Sequence, residues 1–445
     1  MSSSQYPVRN VGIYHNLPQF DPQLTGLTAL ITGANGISGF NTLRALLQSP
    51  QRWSRIYTLS RRPIPPEMMK LLPADVHNRI HHISCDLLQS DPGEIATLLN
   101  SGLENADVRY IFYYAYLQPK PEDGNVMWSN HQQLVDVNVG MLSNFLKALG
   151  HTNIKPKRFL LQNGAKYYGS HLGRARTPNV ESDPPPRHLE PNFYYPQEDL
   201  LFEYCASNNV EWNIIRPPFI IGTSSTTQMN GLYAFAVFAA VVAQRGTALA
   251  FPGTWELWQQ YCAHHGSALL TGYLSEWAIL EDKCRNEAFN SQDTSPISWD
   301  RIFHELVRWF GIKKGVQPPG EDDSGWQEFK VGGGKDTPMG YGPPQTTKIA
   351  FSILEWAKDP ENHKAWKEIM QRENLKFDPF LDVEANFLIA DVMFVVFGPL
   401  SMNKARRLGW TGFVDTMEST FEMYQEMNAL GMLPKMQVQE PRPLV

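Results

Sequence analysis

The chain has 445 residues, a formal net charge of -6 at pH 7, and 42% hydrophobic and 12% aromatic residues. That length supports a large core, in one extended unit or two domains, and the composition excludes a disordered chain. The mild acidity, with basic pairs only in isolation, gives no electrostatic footprint for a nucleic-acid partner.

Residues 1–25 read as an irregular N-terminal extension. They begin Met1-Ser-Ser-Ser-Gln5 without a basic and apolar signal segment, so a cytoplasmic location is expected. Residues 27–32 (Leu-Thr-Ala-Leu-Ile-Thr) form a short apolar run suited to a strand buried on both faces. Gly33, Gly36 and Gly39 follow at three-residue spacing, and Phe40, Leu43, Leu46 and Leu47 continue with helical periodicity. Strand, glycine turn and helix in that order are the context of a dinucleotide-binding turn. The first glycine permits the tight turn, and the second leaves the backbone open to a pyrophosphate. The third lets helix and strand pack closely, with the helix N-terminus facing the phosphate charge.

The next strand, 55–60, ends in Ser60-Arg61-Arg62-Pro63, with no carboxylate where an NAD site places its ribose ligand. Two guanidinium groups there suit a 2′-phosphate, so NADPH is the expected cofactor. Further strands are expected at 80–84, 108–114, 158–162 and 212–215, and a helix at 127–149. Asp86, at the end of the third strand, either lies near the adenine or caps the following segment. Another helix should run from Phe193 to about 207. The fold class is therefore α/β, a Rossmann-like doubly wound parallel sheet with a mostly helical C-terminal substrate-binding portion.

The expected division is an NADPH-binding core at 26–225, with a return segment near 254–292 through Asn286-Glu-Ala-Phe-Asn290. A helical portion covers 226–253 and 293–445, including an amphipathic helix at 298–312. Within it, 315–345 is rich in Gly, Pro and Asp and reads as an exposed insertion or flexible lid. The apolar runs 231–243 and 387–400 fall short of the ~20 residues needed to span a bilayer, so no membrane partner is expected. Four well-separated cysteines (Cys85, Cys205, Cys262, Cys284) lack metal-ligand spacing and fit reduced thiols, with no metal expected.

A carbonyl-directed reductase needs an acid at the oxygen that becomes anionic as hydride arrives, commonly Tyr-x-x-x-Lys on one helix. The single match, Tyr116-Leu-Gln-Pro-Lys120, contains Pro119 and is a decoy. Tyr194 has Glu198 in the lysine place, and Tyr195 has Asp199. Two separate pieces stand out instead: Gln162-Asn-Gly-Ala-Lys166-Tyr-Tyr168 at a strand end, and Asn192-Phe-Tyr194-Tyr195 opening the next helix.

Together with Asn286-Glu-Ala-Phe-Asn290, Ser401-Met-Asn-Lys404 and Gly412-Phe413, these pieces resemble the progesterone 5β-reductase/iridoid synthase-like family. That family consists of atypical extended short-chain reductases that add hydride 1,4 to enones and enals. The resemblance covers about residues 27–435. It implies that Lys166, in a Gly-x-Lys-x-Tyr segment, and Tyr194, first of the Tyr-Tyr pair, are the catalytic residues. A lysine ~4 Å from the phenol would be worth up to ~4 kcal/mol at an effective dielectric of ~20. The cofactor lining expected is Gly33, Asn35, Gly36, Ile37, Gly39, Ser60, Arg61, Arg62, Asp86, Leu87, Tyr113, Gln162, Lys166, Tyr194, Pro218 and Ile220. Tyr167 stands where the family often has His, and Gly169-Ser-His171-Leu-Gly173 departs from its pattern. His171, His264 and His265 are candidate pocket residues or structural ones.

The expected activity is NADPH-dependent 1,4-reduction of an enone or enal on a small hydrophobic steroid-, terpenoid- or polyketide-like carbonyl substrate in secondary metabolism. Met393, Phe394, Phe397 and Met402 would wall its pocket. The rivals are a carbonyl reductase or alcohol dehydrogenase using the same site, and a dinucleotide-binding regulator or cyclase without net redox turnover. The sequence leaves a homodimer open beside a monomer.

Overall fold

A computed structural model of the protein describes residues 7–104, 106–120, 129–226, 229–293, 295–395 and 397–444, leaving out the Cys262 side chain. At its centre is a seven-stranded parallel sheet of β1 (Leu27–Thr32), β2 (Trp53–Ser60), β3 (Ile80–Ser84), β4 (Tyr110–Tyr113), β5 (Arg158–Gln162), β6 (Glu211–Arg216) and β7 (Glu287–Asn290), in the order β7-β6-β5-β4-β1-β2-β3. The chain winds outward from β1 to β3, then crosses to β4 on the other side of β1. Ligands in such sheets bind beyond the carboxyl ends of the strands at that reversal.

The two-residue period of the strands divides the interior into two layers. Ala29 and Ile31 of β1, Tyr110 and Phe112 of β4, and Leu160 of β5 face one core. Its helices are α1 (Ile37–Leu47) and α6 (Ala268–Leu280). Leu30, Ile111, Tyr113, Phe159 and Leu161 face the other core. This one is covered by α2 (Pro92–Leu103), α3 (His131–Gly150) and α4 (Tyr194–Asn208). Each fully buried large apolar side chain contributes ~1.5–3 kcal/mol, which fixes the register of the inner strands.

Strand β4 is shorter than its apolar run, because Thr32 Oγ1 accepts from the backbone N–H groups of Tyr114 and Ala115, each at 3.1 Å. The helix expected from 127 begins at His131, where Asn130 caps it by accepting from the Gln133 N–H; residues 127 and 128 lie outside the described residues. The N-terminal segment differs from the irregular extension expected. Val8–Val11 and Tyr14–Pro18 form an antiparallel hairpin, held where Tyr14 and Leu17 are buried against the core.

Beyond the sheet, α5 (Gly231–Arg245) is buried on every side from Gly231 to Val242, as befits a core helix apolar all round. Among the described residues no helix is long and apolar enough to cross a membrane. The amphipathic segment forms α7 (Trp299–Phe310), capped by Ser298 and ended by Gly311 at φ 66°. The Gly- and Pro-rich stretch after it carries a strand, Gln327–Val331, paired antiparallel with Gln345–Ile349. Helices α8 (Pro360–Glu373), α9 (Val383–Val392) and α10 (Thr416–Ala429) complete the C-terminal part. Cys85, Cys205 and Cys284 are buried free thiols, and burial pushes that of Cys85 up to about 11.

Candidate active site

The glycine turn has the geometry its spacing implies. Gly33 sits at φ 68°, and a β-carbon on it would lie 2.8 Å from the Tyr114 carbonyl oxygen. A β-carbon on Gly39 would come within 2.8 Å of the Gly33 carbonyl carbon, so strand end and helix start touch through bare backbone. Gly36 caps α1, and a β-carbon there would meet only the Gly33 oxygen, at 3.4 Å. That position is open where the other two are crowded. No side chain caps the first turn of α1, leaving its N–H groups for an anion.

Around the turn, Asn35 Nδ2 donates to the Arg62 carbonyl at 3.4 Å, and Ser60 Oγ donates to the same oxygen at 2.8 Å. The Asn35 carbonyl accepts from Ser224 Oγ and Thr226 Oγ1 at 2.9 and 2.8 Å. Arg61 and Arg62 are exposed, and among the described residues neither has an ion-pair partner. Asp86 uses its carboxylate locally, accepting from the N–H groups of Leu88 and Gln89 at 3.0 and 3.2 Å. Leu87 is buried beside it. Tyr113 is the last residue of β4. Its ring lies in the core between Phe145 and Phe159, so only its backbone faces the crevice side of the sheet end.

Gln162, the last residue of β5, donates through Nε2 to Ser38 Oγ at 2.7 Å, spanning to the first turn of α1. Its buried Oε1 lacks a hydrogen-bond partner among the described residues. An orphaned acceptor at the strand end next to the glycine turn fits a ligand carrying amide or hydroxyl donors.

After β5 the chain makes a single 3-10 turn, Ala165–Tyr168, anchored where the Ala165 N–H donates to the Pro217 carbonyl at 2.9 Å. Asn192 ties this turn to α4: its Nδ2 donates to the Lys166 carbonyl, and its Oδ1 accepts from the Tyr194 N–H, both at 3.0 Å. Lysine segment and tyrosine helix are thus joined through one carboxamide. The Tyr194 hydroxyl is directed back over β5, 2.9 Å from where a β-carbon of Gly164 would stand. Burial raises the Tyr194 phenol well above its ordinary range, which holds the proton on the oxygen. Lys166 is solvent-exposed with protein close around it. Burial lowers its ammonium, and the Glu190 carboxylate opposes that shift.

The scaffold beneath is a buried ion pair with no local signature in the sequence. Arg216, the last residue of β6, lies 2.9 Å from Glu198 of α4, and its guanidinium stacks 3.3 Å over the Tyr167 ring. Asn163 Nδ2 donates to the same carboxylate at 2.8 Å. Glu198 occupies the position four after Tyr194 and serves the fold rather than the phenol. Its one signal in the sequence is a carboxylate on an otherwise buried helix face. Tyr195 donates to the Tyr167 carbonyl at 2.9 Å, and Tyr168 donates to Asn290 Oδ1 at 2.6 Å.

The chain after β6 passes close to Gly164. The Pro217 carbonyl lies 3.4 Å from the same Gly164 β-position, and the segment continues through Pro218, Phe219 and half-buried Ile220. Phe219 meets Phe397 edge-on at 5.4 Å, and Tyr261 donates to the Phe397 carbonyl at 3.0 Å. Tyr261 in turn faces His264 at 6.3 Å. Of the aromatic and Met residues expected to wall the pocket, Phe397 packs on Phe219. Phe394 is fully buried against Phe235, Phe251 and Trp299, Met393 is buried beside Gly231, and the Met402 sulfur accepts from the Gln292 N–H. His265 is buried on the strand paired with Phe219–Ile221. Tyr116 is outside any helix, donating to Gln118 Oε1 at 2.6 Å, so the Tyr116–Lys120 spacing is a decoy.

Residues 29–331 match the family model of the PRISE-like Rossmann-fold domain. The chain belongs to this family. Among relatives of this PRISE-like chain is a (S)-8-oxocitronellyl enol synthase of Catharanthus roseus, 27% identical over 96% of this chain and 98% of the relative. A 3-oxo-Delta(4,5)-steroid 5-beta-reductase of Arabidopsis thaliana is 28% identical over 91% and 93%. A short chain dehydrogenase of Penicillium aethiopicum is 28% identical over 92% and 99%. Among solved structures, the terminal R domain of the myxalamid PKS-NRPS pathway shares the fold with a TM-score of 0.56 at 12% identity, covering 94% of this chain and 97% of that one.

Proposed function

We propose that this PRISE-like protein is an NADPH-dependent ene-reductase acting on an enone or enal of a small hydrophobic metabolite. The observation that carries this reading is a proton-bearing phenol, Tyr194, whose hydroxyl lies against Gly164, two residues past the end of β5 at Gln162. Relatives named as an enol synthase and as a steroid 5-beta-reductase support chemistry at a conjugated carbonyl.

The groups expected to hold the cofactor fit it. The open Gly36 position and the uncapped start of α1 suit a pyrophosphate, and the exposed Arg61 and Arg62 suit a 2′-phosphate. The orphaned Gln162 oxygen suits a donor near the nicotinamide end. When bound, the cofactor supplies a hydride. The rest of the chemistry falls to the chain. Tyr194 donates a hydrogen bond to the carbonyl oxygen, and that bond strengthens as the oxygen gains charge, so it favours the enolate over the ground state. Lys166, whose segment is tied to the start of α4 through Asn192, is the cation assigned to this end of β5. The Phe219, Phe397 and Tyr261 wall excludes water from an apolar substrate.

The test is an NADPH-oxidation screen across enones, enals and simple ketones with product identification. A saturated ketone or aldehyde supports the reading. An allylic alcohol would make the protein a carbonyl reductase, and NADPH binding without oxidation of any substrate would favour a regulator.

A further inference from the structure

The hairpin of Gln327–Val331 and Gln345–Ile349 is fastened to the body of the protein at two places. At one end Ile349 is bridged to Gly253, and the Ala350 N–H donates to the Pro252 carbonyl at 2.7 Å. At the other, residues 332–343 lie along the segment that follows the 3-10 turn carrying Lys166. The Gly332 N–H donates to the Leu172 carbonyl at 2.8 Å, and Gly332 is bridged in parallel to Gly173. Arg174 Nε donates to the Pro343 carbonyl at 3.0 Å. Gly169, which closes the lysine turn at φ 70°, is so near Pro338 that a β-carbon on it would stand 2.9 Å from the proline ring.

We propose that residues 332–343 form a strap that fixes the lysine turn in place, with Gly332 and Thr337 as its positioning residues. A single 3-10 turn has little stability of its own, so its neighbours set where it sits. The Gly169 N–H donates to the Lys166 carbonyl at 3.1 Å, and the Leu172 N–H donates to the Gly169 carbonyl at 2.8 Å. Backbone hydrogen bonds therefore run without a break from Gly332 through Leu172 and Gly169 to Lys166. Asn192 holds the same Lys166 carbonyl from the start of α4, so the turn is tied to α4 on one account and to the strap on another. The strap keeps its own shape through Thr337, which is fully buried. Its hydroxyl donates to the Gly334 carbonyl at 2.9 Å, with the Tyr341 carbonyl 3.2 Å away. Its own carbonyl lies 3.3 Å from His188 Nε2, and its methyl group faces Gly173. Space demands glycine at 332. A β-carbon there would stand 2.5 Å from the Asp336 carbonyl oxygen and 2.8 Å from that of Leu172, both backbone atoms that cannot rotate aside. Only the expected effect on turnover rests on the functional reading above.

Two variants of the full-length protein test the strap. Gly332→Ala forces it off Leu172, and Thr337→Val removes the hydroxyl while keeping the shape of the side chain. Without substrate or cofactor, amide hydrogen exchange in peptides covering 165–173 should quicken by about 10-fold in both, while α10 exchanges as before. Thr337→Ser keeps the hydroxyl and should match the wild type. Faster exchange confined to 327–349, with 165–173 as slow as in the wild type, would overturn the proposal. So would a loss of protection that includes α10 in both variants, since the strap would then serve general stability. In the second arm, Gly332→Ala and Thr337→Val should each lower kcat with an enone by about 10-fold and leave the NADPH dissociation constant within about 2-fold. An unchanged kcat beside quickened exchange at 165–173 would overturn the positioning role. If the wild-type protein reduces no enone, the functional reading fails, and the exchange arm still decides whether the strap holds the lysine turn.

Discussion

The Tyr194 hydroxyl and Gly164 approach so closely that a single methyl group on the glycine would stand 2.9 Å from the phenolic oxygen. Gly164 has φ -177°, an extended conformation open to any residue, so its lack of a side chain serves the tyrosine and not the backbone. Gly164→Ala should therefore leave thermal stability nearly unchanged but lower kcat by ~10- to 100-fold, because the hydroxyl must shift. Turnover and melting temperature measured on the same preparation check this. Undiminished turnover would remove the hydroxyl from the site.

Arg61 and Arg62 are exposed beside the glycine turn, without ion-pair partners among the described residues. If they hold a 2′-phosphate, the double variant Arg61→Ala with Arg62→Ala should lose ~10- to 100-fold in preference for NADPH over NADH, about 1.5–3 kcal/mol for the two solvent-exposed contacts together. NADH binding should change little. Dissociation constants for both nucleotides decide the matter.

The Arg216–Glu198 pair links β6 to α4 inside the protein, with Tyr167 and Asn163 around it. Glu198→Ala leaves a buried guanidinium uncompensated and should cost about 3–5 kcal/mol of stability. Chemical denaturation measures the loss, and a loss below about 1 kcal/mol would show that water reaches Arg216.

Asp293 is fully buried, accepting from the Ser267 N–H at 2.8 Å and from its hydroxyl at 2.7 Å. Burial raises its carboxyl to about 7, above the unfolded value, so the native state binds the proton more tightly than the unfolded chain. Stability should thus fall as pH rises from about 4 to about 7, then level off, by an amount on the order of 4 kcal/mol. Asp293→Asn keeps an acceptor for Ser267 and should flatten that slope. Denaturation midpoints from about pH 4 to about pH 8 for both proteins give the comparison.

Much of this arrangement is legible along the chain because its signals are local. Leu27–Thr32 alternates between two apolar cores, and Gly33, Gly36 and Gly39 sit where strand, turn and helix meet. What escaped are contacts made across long separations. Arg216 and Glu198, or His131 and Glu190, carry no local pattern, since only the return of β6 and α3 to one end of the sheet brings them together. The N-terminal hairpin is too short to show a clear alternation, and its two buried residues find their partners only in the folded core. Phe394 reads like a pocket residue because a core and a pocket use the same side chains.

The most direct measurement follows the hydride itself. With NADPH carrying deuterium at the transferred C4 position and an enone as substrate, the account predicts a saturated ketone with deuterium on the β-carbon. Tyr194→Phe should reduce its rate of formation by about 100-fold with nucleotide binding unchanged. Deuterium on the carbinol carbon of an allylic alcohol would contradict the account.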